Sequence, residues 1–228
     1  MDIRMEGRSA LVTGGSRGMG RAIALKFAEA GADVAIIARR LEVLEETKSE
    51  IEAAGNGKVG AYVCDATDAN QIKAAYESAI SDFGKVDILV NNAGTSMSGK
   101  FEDITDDIWE ADLSLKLMGA VRFCRLAFPS MKERRWGRII NIVTIGGKAP
   151  TAERAPTVVT RAAGIALTKV LAGEGAPYNV LVNALCTGRI ITDQTRRLYD
   201  RLKPDMSFEE YVKKRGEEIP LGRMGDAV

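Results

Sequence analysis

The stretch ALVTGGSRGMG, residues 10–20, decides the fold of this chain. Residues 10–13 form a short apolar run typical of a buried strand, and residues 19–30 have the period of an amphipathic helix. Gly14, Gly18 and Gly20 join the two with the spacing G-x-x-x-G-x-G. Glycines let the backbone turn tightly and approach a pyrophosphate, which sits where the free N–H groups of a helix N-terminus point outward. The stretch therefore predicts a dinucleotide-binding loop.

The same alternation of strand and helix continues along the chain. Strand-like runs occur at 33–38, 60–64, 86–91, 138–145 and 180–185, and long helices are predicted at 109–131 and 157–173. Strands that are apolar on both faces indicate a parallel sheet with helices on both sides. We therefore expect an α/β fold, a doubly wound parallel sheet of the Rossmann type, in a single domain over residues 1–228. Ligands of such sheets bind at the carboxyl ends of the strands.

Composition excludes several function classes. The chain has 228 residues and a net charge of +1, with no basic stripe, which argues against a nucleic-acid partner. Because there are no histidines, triads that need histidine and His-based metal sites are excluded, and we predict no metal site. No apolar run is long enough to span a membrane. Three well-separated cysteines, without a CxxC pair, predict reduced thiols and a cytoplasmic protein; they are Cys64, Cys124 and Cys186.

Three motifs resemble those of the short-chain dehydrogenase/reductase family. TGGSRGMG, residues 13–20, is similar to the family's TGxxxGxG loop, and residues 91–94, Asn-Asn-Ala-Gly, to its NNAG motif. Residues 64–66 end a strand where family members place an aspartate against the adenine. The resemblance implies an NAD(P)(H)-dependent oxidoreductase that interconverts the carbonyl and alcohol forms of a small molecule. It also implies a set of cofactor-binding residues: Gly14, Ser16, Arg17, Gly18, Met19, Gly20, Arg39, Asp65, Ala66, Asn92, Ala93, Gly94, Arg161, Gly188, Ile190 and Thr192.

The residues that follow the second strand indicate which of the two nicotinamide cofactors is preferred. NAD-selective relatives place an acidic residue there, to accept hydrogen bonds from the ribose 2′-hydroxyl. Here Arg39 and Arg40 follow the strand, and Arg17 lies in the glycine loop. Guanidinium groups suit the geometry of a 2′-phosphate. We therefore expect NADP(H) in preference to NAD(H), the alternative being two solvated arginines at a helix start.

The family's four catalytic residues, Asn, Ser, Tyr and Lys, can be located by counting from local landmarks. Thr144 stands at the Ser position, seven residues after Gly137. Thr157 and Arg161 stand where the family has YxxxK, and Lys116 stands at the Asn position. All four positions therefore differ from the family's usual residues. The i,i+4 spacing still directs Thr157 and Arg161 into one site.

Three hypotheses follow for the chemistry. In an active reductase, Lys116 is the candidate proton donor, Thr144 and Thr157 hold the carbonyl, and Arg161 stabilises the alkoxide. A catalytically inactive homologue that binds the cofactor as a sensor or partner subunit explains the same four substitutions. The chain can also be a variant engineered or decayed from an active parent. Tyr199 is a further candidate acid, although packing in the lid is the simpler interpretation.

The segment from about 190 to 218 corresponds to the family's mobile substrate lid. Its basic residues, together with Lys116 and Arg161, suit an anionic substrate such as a carboxylate or an acyl carrier, and the alternative is a solvated helix face. These residues are Arg196, Arg197, Arg201 and Lys203.

Two expectations concern assembly and the end of the chain. Relatives follow the phrase at 219–228 with another helix and a last strand, so we expect a C-terminal strand to be missing. The alanine-rich helix around residues 162–166 can pack against a symmetry mate, which favours a homodimer or homotetramer.

Overall fold

The central element is a six-stranded parallel sheet, seen in a computed structural model that describes residues 3–202 and 205–227. The strands are β1 (Ser9–Thr13), β2 (Asp33–Ala38), β3 (Val59–Val63), β4 (Ile88–Asn91), β5 (Gly137–Thr144) and β6 (Val180–Thr187). Their order across the sheet is β3-β2-β1-β4-β5-β6, and every neighbouring pair is parallel. The chain therefore reverses direction across the sheet between β1 and β4, where doubly wound folds bind their ligands. The predicted α/β Rossmann architecture is confirmed.

Helices cover both faces of the sheet. They are α1 (Gly18–Glu29), α2 (Leu41–Ala54), α3 (Ala69–Phe83), α4 (Asp106–Leu113), α5 (Gly119–Glu133), α6 (Thr157–Gly175), α7 (Asp193–Leu202) and α8 (Phe208–Glu217). Alternate residues of a strand point to opposite faces. Val12 of β1 therefore packs in a core with α1 and α2, and Leu11 in a second core with α3 and α5.

Local sequence determines where α3 begins and ends. The carboxylate of Asp68 accepts hydrogen bonds from the backbone N–H groups of Asn70 and Gln71, which caps the first turn. Gly84 ends the helix in the left-handed conformation, at φ 75°. Between these limits the helix buries one apolar stripe, namely Ile72, Ala75, Tyr76 and Ala79.

The helix predicted over 109–131 is interrupted, so this prediction was wrong in detail. Helix α4 ends at Leu113, a π-helical turn spans Ser114–Met118, and α5 begins at Gly119. A π-turn holds one residue more than an α-turn and is frequent at functional sites. The turn lies beside a close tertiary contact, since a Cβ on Gly119 would lie 2.9 Å from the carbonyl oxygen of Ala66.

Two small ladders lie above the carboxyl end of the sheet. Ser98–Gly99 pairs antiparallel with Ala155–Pro156, directly before α6. Ile190–Ile191 pairs parallel with Gly225–Asp226 and anchors the segment that follows β6. Neither 3–202 nor 205–227 contains a helix with the length and apolar character needed to cross a membrane.

Candidate active site

A cavity of about 550 Å³ opens at the carboxyl ends of the strands, a volume in the usual range for a small-molecule site. Its walls combine the glycine loop, the turns after β4 and β5, the start of α6 and the lid helix α7. The lining includes Gly14, Arg17, Gly18, Met19, Asn92, Gly94, Thr144, Arg154, Thr157, Arg161, Gly188, Ile190 and Thr192. Sequence analysis had assigned all of these except Arg154 to the cofactor or to catalysis.

The glycine loop has the form of a phosphate cradle. Gly14 and Gly18 adopt the left-handed conformation at φ 64° and 52°, which favours glycine. A Cβ on Gly20 would lie 2.2 Å from the carbonyl oxygen of Gly14, so no larger residue fits there. No side chain caps α1, whose first N–H groups begin at Gly18 beside the cavity. Free helix N–H groups and the helix dipole suit a pyrophosphate, so the loop fits a dinucleotide.

Asn92 connects the NNAG turn to this loop. Its side-chain amide donates hydrogen bonds to the carbonyl oxygens of Thr13 and Gly14, at 3.0 and 3.1 Å. In return, the hydroxyl of Thr13 accepts from the backbone N–H groups of Asn92 and Ala93, both at 3.0 Å. The two motifs from the sequence analysis therefore form one rigid wall of the cavity.

Three of the four proposed catalytic residues line the cavity, and the fourth lies behind them. Thr144 stands at the end of β5, and Thr157 and Arg161 stand on the first turns of α6. Lys116 lies in the π-turn with its side chain 1% exposed; it is not part of the cavity lining, but it contacts Thr157, which is. The sequence predicted that Lys116 meets the substrate directly. In the structure it can reach a substrate only through Thr157.

Lys116 belongs to a buried hydrogen-bonded cluster. Its Nζ donates to the Oγ1 of Thr157 at 2.7 Å and to the carboxylate of Asp112, with which it forms an ion pair. The Asp112 side chain is 2% exposed, and its Oδ2 has no hydrogen-bond partner among the described residues. Sequence analysis missed Asp112, although its i,i+4 spacing from Lys116 on a predicted helix was a usable signal.

The cluster alters the proton affinity of Lys116. Burial lowers the pKa of Lys116 to about 8, because desolvation disfavours the charged ammonium. Asp112 acts in the opposite direction by hydrogen bond and charge, and Arg161 lowers the pKa further. An amine with this pKa can release a proton near neutral pH and recover it, which an ordinary lysine does far less readily.

Thr157 accepts two hydrogen bonds through its hydroxyl oxygen. A hydroxyl has two acceptor positions and one donor. The Oγ1 of Thr157 accepts from Lys116 Nζ and from the backbone N–H of Met97, the latter at 3.0 Å. The ladder between Ser98–Gly99 and Ala155–Pro156 holds Met97 in this position. Among the described residues the Thr157 hydroxyl donates no hydrogen bond, and the residue lines the cavity, so its proton is free to bind a ligand there.

Arg161 places a second cation beside this cluster. Its Nη1 donates to the carbonyl oxygen of Ile142 at 2.6 Å. Its Nη2 lies over Gly94, 2.5 Å from where a Cβ would stand, so a larger residue in the NNAG turn would displace the guanidinium group. Burial lowers the pKa of Arg161, and Asp112 raises it. Arginine has no proton to give at ordinary pH, so its contribution here is positive charge.

Several residues assigned to the cofactor lie outside the cavity wall. Arg39 is exposed at the end of β2, and Asp65 binds the backbone and side chain of Thr67 through its Oδ1. Ser16, Ala66 and Ala93 are not part of the lining either.

The lid is attached to the cofactor wall at its start. Arg17 and Asp193 form an ion pair at 3.4 Å, and the side chain of Gln194 donates to the carbonyl oxygen of Gly94 at 3.1 Å. Tyr199 lies inside the lid, where its hydroxyl donates to the carbonyl oxygen of Met206 and its ring packs against Phe208. Lid packing is therefore its observed role.

The basic residues of the lid divide into two groups. Arg197 and Arg201 line the cavity. Arg196 instead stacks on the ring of Phe208, with 3.6 Å between its Cζ and the ring centroid, and does not line the cavity. Lys203 lies outside the described residues.

Comparison with known proteins agrees with this geometry. The family model "short chain dehydrogenase" matches residues 8–203. The chain belongs to the short-chain dehydrogenase family. Members of this family are oxidoreductases that use nicotinamide cofactors, in agreement with the fold, the glycine loop and the NNAG turn of this chain.

Individual short-chain dehydrogenases resemble the chain over most of its length. The 3-oxoacyl-[acyl-carrier-protein] reductase FabG of Staphylococcus aureus is 37% identical over 219 residues, which are 96% of this chain and 85% of that protein. D-beta-hydroxybutyrate dehydrogenase of Cupriavidus necator is 38% identical, covering 82% of this chain and 72% of that protein. L-sorbose reductase of Gluconobacter frateurii, in complex with NADPH and L-sorbose, superposes with a TM-score of 0.95 at 32% identity, covering 100% of this chain and 88% of that chain. The names of these relatives describe enzymes that act on carbonyl or alcohol groups.

Proposed function

We propose that this protein is an NADP(H)-dependent reductase that interconverts a small carbonyl compound and its alcohol. The observation that carries the proposal is the hydrogen bond from buried Lys116 to Thr157, a residue that lines the cavity. A lysine with a lowered pKa, one hydrogen bond from a hydroxyl on the cavity wall, is an arrangement suited to proton transfer.

In the proposed reaction, the nicotinamide cofactor supplies a hydride to the carbonyl carbon when it is bound. The carbonyl oxygen accepts hydrogen bonds from Thr157 and Thr144. As negative charge develops on that oxygen, Thr157 gives up its proton and takes one from Lys116, so Thr157 never has to ionise. Lys116 becomes a neutral amine and regains its proton from solvent between turnovers. Arg161 stabilises the developing charge without exchanging a proton.

Asp112 completes the proposed arrangement. A buried carboxylate beside Lys116 offsets part of the cost of burying the ammonium and fixes the direction of its N–H groups. Together with Arg161, the cluster carries one net positive charge next to the site where an oxyanion forms. The role proposed for Asp112 is positioning.

The cofactor preference is inferred from the residues around the glycine loop. Arg17 lines the cavity, and Arg39 follows β2, where NAD-selective relatives carry an acidic residue. We propose that these two arginines receive the 2′-phosphate of NADP(H). The remaining cofactor contacts are assigned to the glycine loop, the end of β3, the NNAG turn and Arg161, together with Gly188, Ile190 and Thr192 beyond β6.

The proposal is tested by following NADPH absorbance with a panel of aldehydes and ketones. Thr157→Val removes the hydroxyl at nearly constant volume, and we expect a loss of turnover of about 10²- to 10⁴-fold, the usual contribution of a positioned acid. Thr160→Val is the matched control, since Thr160 is buried on the same helix and binds the carbonyl of Pro156 instead. Cofactor binding without turnover by the wild type would favour the hypothesis of a catalytically inactive sensor or partner subunit.

We further propose that the protein is a single domain with a lid at about 190–218, works in the cytoplasm and assembles as a homodimer or homotetramer. Val159 and Val170 on α6 are 50% and 57% exposed, and such apolar positions on the alanine-rich helix suit a contact with a second copy. Light scattering of the purified protein gives the oligomeric state, and a monomer at micromolar concentration would contradict this proposal.

A further inference from the structure

The charged residues of the cavity wall are strongly unbalanced. Seven arginines line it, against a single acidic residue, Asp193. The arginines are Arg17, Arg154, Arg161, Arg189, Arg197, Arg201 and Arg215. Clefts lined by one sign of charge concentrate the opposite sign. A cofactor with its phosphates accounts for cations near the glycine loop, so the question is which arginines remain.

Four of the seven have partners or a task within the protein. Arg17 pairs with Asp193, and Arg189 pairs with Glu218. Arg215 donates to the hydroxyl of Tyr211 and stacks on its ring. Arg161 is held by the carbonyl oxygen of Ile142 and belongs to the proposed catalytic cluster. Arg17 and Arg161 therefore already have proposed roles at the cofactor and in the catalytic cluster, and Arg189 and Arg215 are held by partners within the protein.

The other three arginines keep their guanidinium charge uncompensated. Neither Arg154 nor Arg201 forms an ion pair or side-chain hydrogen bond in the part of the chain that the structure describes, and Arg197 contacts only the backbone carbonyl of Asp193, through Nε. Arg197 and Arg201 are four residues apart on α7 and therefore share one helix face. That face lines the cavity, whereas Arg196 is turned away onto Phe208.

Of the three arginines, Arg154 lies near Thr157 in the sequence, just before α6. Its carbonyl oxygen accepts the backbone N–H of Val158, so it lies one turn before Thr157 at the start of α6. The lid arginines approach from α7, on the other element that covers this end. A ligand whose carbonyl meets Thr157 therefore shares one cavity with all three of these arginines.

We propose that Arg154, Arg197 and Arg201 bind an anionic group of the substrate, so that the protein acts on oxo compounds that carry a carboxylate or a phosphate. This inference rests on the proposed reductase function and names its substrate class. Guanidinium forks match the two oxygens of either group, and pairing with a charged acceptor is stronger than a neutral hydrogen bond.

The test compares matched pairs of ligands by calorimetry on the complex of the full chain with NADP⁺. Acetoacetate is paired with methyl acetoacetate, and dihydroxyacetone phosphate with dihydroxyacetone, together with longer 3-oxo acids and their esters. We expect at least one anionic member to bind about tenfold or more tightly than its neutral partner, which corresponds to about 1.4 kcal/mol. The pair with the larger ratio identifies carboxylate or phosphate as the preferred group.

The double variant Arg197→Gln/Arg201→Gln tests the assignment to these side chains. We expect it to reduce the ratio between anionic and neutral ligands to within about threefold of unity, by removing charge–charge pairs. Lys73→Gln/Arg125→Gln removes two positive charges from exposed positions on α3 and α5, outside the cavity wall, and should leave the ratio unchanged. An unchanged ratio in the Arg197/Arg201 variant would overturn the proposal.

Binding and turnover separate this inference from the reductase function. Tight binding of the anionic ligands without NADPH oxidation by any ketone would support the anion site and refute the reductase. Reduction of the neutral esters with no advantage for the acids would support the reductase and refute the anion site. Equal affinity within every pair, or no measurable binding of any anionic member, also refutes it.

Discussion

Replacing Lys116 by methionine tests the buried cluster through stability alone. Lys116 and Asp112 are 1% and 2% exposed at their side chains, so the variant leaves a carboxylate buried without its partner. Breaking a buried ion pair by removing one member typically costs about 3–5 kcal/mol. Methionine has a similar length and leaves little cavity, so the loss is attributable to charge.

The unpaired carboxyl group can take up a proton, and this sets an upper limit on the loss of stability. Protonating a carboxyl group with an ordinary pKa of about 3.9 costs about 4 kcal/mol at pH 7. That limit falls by about 1.4 kcal/mol for each unit of pH below 7. We therefore expect Lys116→Met to lose about 3–4 kcal/mol at pH 7 and clearly less at pH 5.5.

Urea unfolding followed by circular dichroism measures these differences at both pH values. Asp112→Asn/Lys116→Met removes both charges, so it should be more stable than Lys116→Met, which keeps the test valid if the single variant does not fold. Lys73→Met, at an exposed pair with Glu77 separated by 3.8 Å, should change stability by less than about 0.5 kcal/mol. A loss below about 1 kcal/mol for Lys116→Met, or additive effects in the double variant, would refute the buried ion pair.

Three further outcomes follow from the site. Gly20→Ala should weaken NADPH binding by at least about tenfold, because a Cβ there would lie 2.2 Å from the carbonyl of Gly14. Fluorescence titration measures this loss. Gly173→Ala is the control, since its added Cβ has nothing within 4 Å. Arg39→Ser should weaken NADPH binding about tenfold while NADH binding stays constant, and equal losses for both cofactors would contradict its role at the 2′-phosphate. NMR of protein labelled with ¹³C at lysine Cε should show a resonance that titrates at about 8 and is absent in Lys116→Met, and an invariant shift from pH 6.5 to 9.5 would contradict the lowered pKa.

Sequence periodicity was sufficient for the sheet because that signal is local. The run from Ala10 to Thr13 and its glycines predict β1, the turn and α1 without reference to the rest of the chain. The interruption of the helix over 109–131 was not predictable in this way. It places one extra residue in a turn, beside the close packing of Gly119 against Ala66, which is a contact between positions far apart in the chain.

The sequence indicated several residues that line the candidate site, but not the hydrogen bonds between them. Counting from landmarks located Thr157 and Arg161 on one helix face, and the structure places both at the cavity. The hydrogen bond between Lys116 and Thr157 joins residues 41 positions apart, so no pattern of spacing indicates it. Asp112 was missed because a charged residue one turn from a lysine usually belongs to a solvated helix face.

The central claim is that Lys116 supplies the proton through Thr157, and the pH dependence of kcat/KM for NADPH-dependent carbonyl reduction tests it most directly. Only protonated Lys116 can act, so the rate should be constant below pH 8 and fall about tenfold per unit above it. Lys116→Arg, which stays charged, should be slower and lack this inflection, since arginine does not release its proton in this range. The same inflection in both proteins, or a flat profile for the wild type from pH 6.5 to 10, would contradict the account.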